Sequence, residues 1–84
     1  MNYKILFEKP AQKFILKQPL PQRQRILSAI SKLPEEGDRK ALQGHPGYYR
    51  LRVGEYRIIY TIENDYLIVR ITRAGNRGDI YKNL

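Results

Sequence analysis

The pattern that most constrains this chain is a β-hairpin in its second half. Two runs of alternating aromatic and β-branched residues, Tyr48–Val53 and Tyr56–Ile62, are separated only by Gly54 and Glu55. A two-residue connection that begins with glycine is typical of a type II′ turn, and such a turn fixes the register of the two strands. The predicted pairs are Val53 with Tyr56, Arg52 with Arg57, Leu51 with Ile58, and Arg50 with Ile59.

This register divides the side chains of the hairpin between two faces, because successive residues of a strand point to opposite sides. One face is apolar and consists of Tyr49, Leu51, Val53, Tyr56, Ile58, Tyr60 and Ile62. The other face carries Tyr48, Arg50, Arg52 and Arg57. We therefore expect the apolar face to be covered and the arginine face to remain open.

A third strand is predicted at Tyr66–Ala74, joined to the hairpin by a two-residue turn at Asn64 and Asp65. That turn pairs Glu63 with Tyr66 and Ile59 with Arg70, and it adds Leu67, Val69 and Ile71 to the apolar face. A three-residue turn would instead bury Arg70 without a partner, which costs several kcal/mol. The even-numbered connection is therefore favoured.

The first half of the chain predicts one strand, two helices and a loop. Asn2–Phe7 alternates as a strand does, and the helices Pro10–Lys17 and Pro21–Leu33 each begin at a proline. An apolar stripe with helical spacing runs along the second helix, at Ile26, Ile30 and Leu33. Turn-forming residues predict a loop at Asp38–Gly47. Together these elements predict one two-layer α+β domain over residues 1–84, ordered β-α-α-β-β-β, with a helix hairpin packed on an antiparallel sheet. The pattern leaves the place of the first strand in the sheet open.

Charge and composition narrow the class of protein. Sixteen Lys and Arg against eight Asp and Glu give a net charge of +8 and an isoelectric point near 10.0, which predicts a polyanionic partner, either nucleic acid or an acidic protein. The chain has no cysteine, and its single histidine, His45, lies in a Gly-His-Pro-Gly loop, so we predict neither a metal nor a cofactor. No apolar run approaches the roughly 20 residues that span a bilayer and no signal peptide follows Met1, which predicts a cytoplasmic protein.

The arginine face is the candidate functional surface. Arg52 lies opposite Arg57 in the predicted register, and like charges in that position destabilise a sheet. Such repulsion is expected where an anion is to be bound. The alternative is an ordinary solvated face, on which long side chains spread and salt screens their charges. The surrounding residues predicted to bind RNA or phosphate are Tyr48, Arg50, Arg70 and Arg73.

The chain also resembles a known family. The resemblance is carried by the block LQGHPGYYRLRVGEYRIIYTIENDYLIVRITRAGNRGDIY and, nearer the start, by YKILFEKPAQKFILK. Both look like the RelE/ParE family of type II toxin–antitoxin toxins. This resemblance implies a microbial-ribonuclease-like fold and, for the RelE branch, ribosome-dependent cleavage of mRNA in the A site. In that reaction the 2′-hydroxyl attacks the adjacent phosphate and the 5′-oxygen leaves.

The resemblance also implies roles for individual residues. The basic residues of the first hairpin strand fall on Arg50 and Arg52, and the arginine of the second strand falls on Arg57. The arginine after the last strand falls on Arg77, and the terminal tyrosine falls on Tyr81. Arg52 and Arg57 would neutralise charge on the phosphate in the transition state. Arg77 would contact the leaving group or the phosphate, and Tyr81 would orient a base or help to move a proton.

Two departures from the family pattern bear on proton transfer. Some members carry lysine where this chain has Arg50 and Arg52, and many carry histidine where it has Asn76. A guanidinium practically never loses its proton, and an amide does not titrate. The expected catalysis therefore rests on positioning, charge stabilisation and Tyr81.

The resemblance implies partners and leaves two targets open. The RelE branch acts on the ribosome and its mRNA, and the arginine set favours this branch. The ParE branch shares the fold but inhibits DNA gyrase by protein contact, without cleaving RNA. Either branch implies a cognate antitoxin whose acidic, partly disordered segment wraps the basic surface.

Overall fold

The computed structural model describes residues 3–76, which form two helices packed on one side of a five-stranded sheet. The elements in chain order are β1 (Lys4–Phe7), α1 (Lys9–Leu16), α2 (Leu20–Ser31), β2 (Asp38–Ala41), β3 (Tyr48–Val53), β4 (Tyr56–Glu63) and β5 (Ile68–Asn76). The strands lie in the order β1-β5-β4-β3-β2. The predicted two-layer α+β architecture is confirmed. Because β1 runs parallel to β5 while the other pairs are antiparallel, the sheet is mixed.

The hairpin formed by β3 and β4 has the predicted register. All four predicted pairs are present, including Arg52 opposite Arg57. Gly54 has a φ of 58° and the φ of Glu55 is negative, as a type II′ turn requires. Local turn chemistry therefore sets the alignment of the two strands that carry half of the candidate residues, namely Tyr48, Arg50, Arg52 and Arg57.

The two helices cover the apolar face of the sheet. Each begins at or next to a proline, and Pro19 separates them. Their inward residues Ala11, Ile15, Ile26 and Ile30 are fully or almost fully buried. Leu33, the last residue of the predicted apolar stripe, is also buried, although it follows the end of α2. These residues pack on Leu51, Ile58, Tyr60, Val69 and Ile71 of the sheet. Burial of each large aliphatic side chain contributes about 1.5–3 kcal/mol to folding.

The connection from β4 to β5 differs from the prediction. The expected two-residue turn at Asn64 and Asp65 is wrong, because a 3₁₀ turn over Asn64–Tyr66 and a left-handed Leu67, with φ of 54°, together span four residues. Arg70 consequently pairs with Thr61 instead of Ile59, and Leu67 does not join the apolar face. The connection is still even-numbered. The alternation is therefore preserved, and the predicted apolar residues Val69 and Ile71 are buried.

A β-bulge lies farther along the same pair of strands. Tyr60 pairs with Ile71 and Ile59 pairs with Arg73, which leaves Thr72 as an extra residue in β5. The Thr72 hydroxyl donates a hydrogen bond of 3.1 Å to the carbonyl of Ile59. Strict alternation after Ile71 would direct Arg73 under the helices, so the extra residue moves Arg73 to the opposite face of the sheet.

The segment predicted as a loop, Asp38–Gly47, contains a strand. β2 pairs with β3 along one edge of the sheet, so that Asp38 lies opposite Arg52 and Lys40 lies opposite Arg50. Gly37 precedes this strand with a φ of 116°, and a Cβ at this position would lie 2.9 Å from Leu51 Cδ1. Glycine is thus required for the chain to enter β2 so close to the core.

Candidate functional site

The surface of the sheet opposite the helices is strongly cationic, and we call it the basic face. Residues paired directly across strands share a face of the sheet, so the register assigns its members. Among the described residues, its cations are Lys4, Lys40, Arg50, Arg52, Arg57, Arg70 and Arg73, and its carboxylates on the strands are Asp38 and Glu63. Tyr48 lies on the same surface, opposite Thr61. The sheet thus brings together the described residues that were predicted to bind phosphate.

Arg57 differs from its neighbours in its bonding. Its guanidinium donates hydrogen bonds to the backbone carbonyls of Gly54, at 3.3 Å, and Tyr56, at 3.2 Å. It forms no ion pair with any carboxylate of residues 3–76. No described carboxylate therefore neutralises the positive charge of Arg57, which lies directly across the sheet from Arg52.

Asp38 is a member of the basic face that the sequence prediction missed. Its Oδ2 accepts a hydrogen bond of 2.6 Å from Arg52 Nε, and its Oδ1 lies 4.0 Å from Arg50 Nη2. The sequence carries no strand signal here, because Asp38–Ala41 shows no alternation of apolar and polar residues. The turn-forming residues that follow it favoured a loop.

Arg70 forms a second ion pair at a distance from this cluster. Its Nε donates a hydrogen bond of 2.7 Å to Glu63 Oε2. That hydrogen bond is the main reason that the pKa of Arg70 is raised above its ordinary value. In the register of the sheet, Arg70 lies opposite Thr61, and Thr61 lies opposite Tyr48. Tyr48 is two residues from Arg50 along β3. Arg70 therefore extends the basic face toward β1 and does not join the arginines of the hairpin.

Arg50 and Arg73 flank an apolar residue on this face. Arg50 pairs with Ile59 from β3, and Arg73 pairs with it from β5. Ile59 is fully buried, although it does not belong to the core beneath the helices. The side chain of Arg50 is only 17% exposed. The basic face is thus a surface of cations around a buried aliphatic residue, which limits the freedom of the arginine stems.

Two predicted catalytic residues, Arg77 and Tyr81, lie outside the described residues, and their roles stay predictions. Within residues 3–76 no group of three or more His, Cys, Asp or Glu could hold a metal ion, and no helix is long and apolar enough to cross a membrane. Each described arginine presents a planar guanidinium with several N–H donors and a permanent positive charge. Such an array binds phosphate and stabilises negative charge, and it does not accept protons.

Comparison with known proteins shows that this fold with its arginine-rich open sheet is that of the toxins of type II toxin–antitoxin systems. Residues 5–81 match the model of the family described as the ParE toxin of the type II toxin–antitoxin system parDE. Toxin RelE3 of Methanocaldococcus jannaschii is 34% identical over 85 residues, which cover 93% of this chain and 94% of that toxin. The chain therefore belongs to the RelE/ParE family of toxins.

Solved structures agree with this assignment. The archaeal RelE–RelB complex from Pyrococcus horikoshii OT3 contains a chain that is 27% identical, with a TM-score of 0.75, covering 93% of this chain and 98% of its own. The RelB–RelE antitoxin–toxin complex from Methanococcus jannaschii gives 32% identity and a TM-score of 0.73, with coverage of 90% and 94%. The family resemblance inferred from the sequence is confirmed.

Proposed function

We propose that this toxin is a ribosome-dependent endoribonuclease that cleaves mRNA in the A site. The observation that carries the proposal is the position of Arg57, unneutralised by any described carboxylate and directly opposite Arg52, with Arg50 beside them. The 2′-oxygen of the message attacks the adjacent phosphorus and loses its proton. The bond to the 5′-oxygen breaks, and this oxygen gains a proton. The products are a 2′,3′-cyclic phosphate and a 5′-hydroxyl, and cleavage at ribosomes places the activity in the cytoplasm.

The arginines have separate tasks in this proposal. Arg52 and Arg57 stabilise the charge that builds on the phosphate in the transition state, and Arg50 binds the phosphate beside them. The remaining cations and the aromatic ring hold the flanking message: Tyr48, Arg70 and Arg73. Because guanidinium groups keep their protons, proton transfer requires other groups. By family resemblance, Tyr81 assists that transfer and Arg77 contacts the scissile phosphate or the leaving group.

Primer extension on programmed ribosomes tests the proposal. We expect the purified toxin to cut message at positions in register with the codons, and to leave the same RNA intact when ribosomes are absent. Arg57→Ala should lower the rate of these cuts by about 10²–10³-fold while the protein remains folded. Message that stays intact on ribosomes treated with the wild-type toxin would show that the proposal is wrong.

A second candidate function follows from the family model itself, which is that of the ParE toxins. A ParE-like toxin inhibits DNA gyrase by protein contact and does not cleave RNA. A supercoiling assay with purified gyrase distinguishes the two functions. Inhibited supercoiling together with intact message would replace the nuclease proposal with this one.

We also propose a cognate antitoxin as the partner of this chain. Two of the similar structures are complexes of a RelE toxin with RelB, and the charge of +8 favours an acidic partner. A partly disordered acidic segment would cover the basic face or displace the segment that carries Tyr81. Arginine-specific chemical modification tests direct masking. If Arg52 and Arg57 react as fast with the antitoxin bound as without it, masking is wrong.

A further inference from the structure

The two carboxylates of the basic face make ion pairs of similar geometry in different places. Asp38 and Arg52 are joined at 2.6 Å, and Glu63 and Arg70 at 2.7 Å. Of these two carboxylates, only Asp38 is aligned with the arginine pair of the hairpin. Asp38, on the edge strand, lies opposite Arg52, and Arg52 lies opposite Arg57. One carboxylate therefore acts at the candidate reaction centre, while the other acts at its periphery.

Asp38 constrains the orientation of Arg52. Its Oδ2 binds Nε, the nitrogen nearest the aliphatic stem, so the two terminal nitrogens of Arg52 are the donors that remain for a phosphate. The same carboxylate lies 4.0 Å from Arg50 Nη2 and reduces the repulsion between the arginines. Both members of the pair are about half exposed, at 52% for Arg52 and 46% for Asp38. Such an exposed pair contributes little to stability, so its effect is on the direction of the guanidinium.

We propose that Asp38 is a positioning residue that holds the Arg52 guanidinium toward the scissile phosphate, and that its negative charge weakens the binding of the message. This inference rests on the proposed function and deepens it. Both effects come from one carboxylate: one raises kcat and the other raises KM, so they oppose each other in the catalytic efficiency kcat/KM. Positioning raises kcat because an aligned donor stabilises the transition state better than a mobile one. Repulsion of the anionic message raises KM.

Kinetics of cleavage on programmed ribosomes test this signature. We expect Asp38→Asn to lower kcat about tenfold and to lower KM roughly twofold to fivefold. Glu63→Gln is the matched control, because it removes the same charge from the same face at an ion pair of similar length, 2.7 Å against 2.6 Å. It should lower KM by a similar factor and keep kcat within about twofold. If kcat for Asp38→Asn is unchanged or higher, Asp38 is only a competitor of the phosphate and the proposal is overturned.

Two further variants test whether Asp38 acts through Arg52. In an Arg52→Ala background, adding Asp38→Asn should cause less than a twofold further loss of kcat, because the group being positioned is absent. Asp38→Glu restores the carboxylate and should recover part of the lost rate. A full tenfold loss in the Arg52→Ala background would overturn the proposal. Thermal unfolding of each variant verifies that the rates are compared between folded proteins.

A readout without RNA separates this inference from the proposed function. Phenylglyoxal modification, followed by peptide mass spectrometry, measures the reactivity of each arginine. We expect Asp38→Asn to speed the modification of Arg52 severalfold and to leave Arg57 unchanged, because Arg57 does not contact Asp38. If wild-type toxin leaves message intact while this difference is present, the proposed function fails but Asp38 still restrains Arg52. Equal reactivity of Arg52 in both proteins would overturn the restraint itself.

Discussion

The two faces of the sheet are maintained by different kinds of interaction. On the helix-covered face, Leu51, Ile58 and Ile71 are fully buried and belong to one hydrophobic core with residues of both helices. On the basic face, the pairs Asp38–Arg52 and Glu63–Arg70 are about half and one-third exposed, and Ile59 is the fully buried residue among those described. Truncation of a buried aliphatic side chain costs about 2–5 kcal/mol, whereas an exposed ion pair contributes about 0.2–1 kcal/mol. Stability therefore depends on one face, and the other can be adapted to its ligand.

The comparison is tested most strongly by placing one new arginine on each face. Leu51→Arg buries an unpaired charge beneath the helices, and we expect it to cost several kcal/mol and to unfold most of the protein at room temperature. Thr61→Arg, on the next strand but on the basic face, should change stability by no more than about 1 kcal/mol. Urea denaturation followed by circular dichroism measures both. Equal destabilisation by the two variants would contradict the division of roles between the faces.

Removal of Arg57 should affect activity far more than stability. We expect Arg57→Ala to lower the cleavage rate by about 10²–10³-fold, because the variant lacks a preorganised positive charge in the transition state. Its stability should change by less than about 1 kcal/mol, because the lost hydrogen bonds, to the carbonyls of Gly54 and Tyr56, are exposed or only partly buried. Arg57→Lys, which keeps the charge but not the fork, should give an intermediate rate. Single-turnover cleavage and urea denaturation provide the two measurements, and a loss of activity matched by a loss of folding would contradict the prediction.

The bulge at Thr72 links the two faces, because it determines which of them carries Arg73. Thr72→Val keeps the shape of the side chain and removes the hydrogen bond to the Ile59 carbonyl. We expect a loss of about 0.5–1.5 kcal/mol in the free energy of unfolding. Salt dependence of RNA binding should be unchanged if Arg73 stays on the basic face. A smaller dependence on salt would show that the register of β5 has shifted.

The smallest expected effect is a pH dependence on the helix-covered face. Burial raises the pKa of Tyr60, and the nearby Arg39 partly opposes this shift. The folded protein then keeps the phenolic proton when the unfolded chain has begun to lose it. The contribution of Tyr60 is therefore complete below about pH 10 and is lost as pH rises toward the folded pKa. Tyr60→Phe should reduce this alkaline loss of stability, whereas Tyr66→Phe, at an exposed position, should not.

Local turn chemistry explains why the hairpin could be predicted. Gly54 determines the register of β3 and β4 without reference to the rest of the chain, and so it places Arg52 opposite Arg57. The connection to β5 was predicted to have two residues and has four, but both numbers are even. The side of the sheet to which Val69 and Ile71 point depends only on whether this number is even or odd, so it was predicted correctly in spite of the wrong turn.

The remaining features depend on contacts that a local pattern does not contain. β2 has four exposed residues and no apolar alternation, so only its pairing with β3 identifies it as a strand. Asp38 was therefore assigned to a loop and its bond to Arg52 was not foreseen. The position of Arg73 depends on an extra residue in β5, and the burial of Ile59 depends on neighbouring strands. The candidate arginines could be predicted from the sequence, but the carboxylate that restrains one of them could not.

The parallel pairing of β1 with β5 has a consequence for the order of folding. Lys4 pairs with Ile68, which follows it by 64 residues, so the first strand of the described chain cannot pair until the last one is present. Contacts between such distant segments form slowly, because a long loop must close before they contribute. β5 also carries Arg70 and Arg73 and lies between β1 and β4. A nascent chain therefore acquires its complete arginine surface only after its last described strand has been synthesised, which delays the appearance of the toxin's working form.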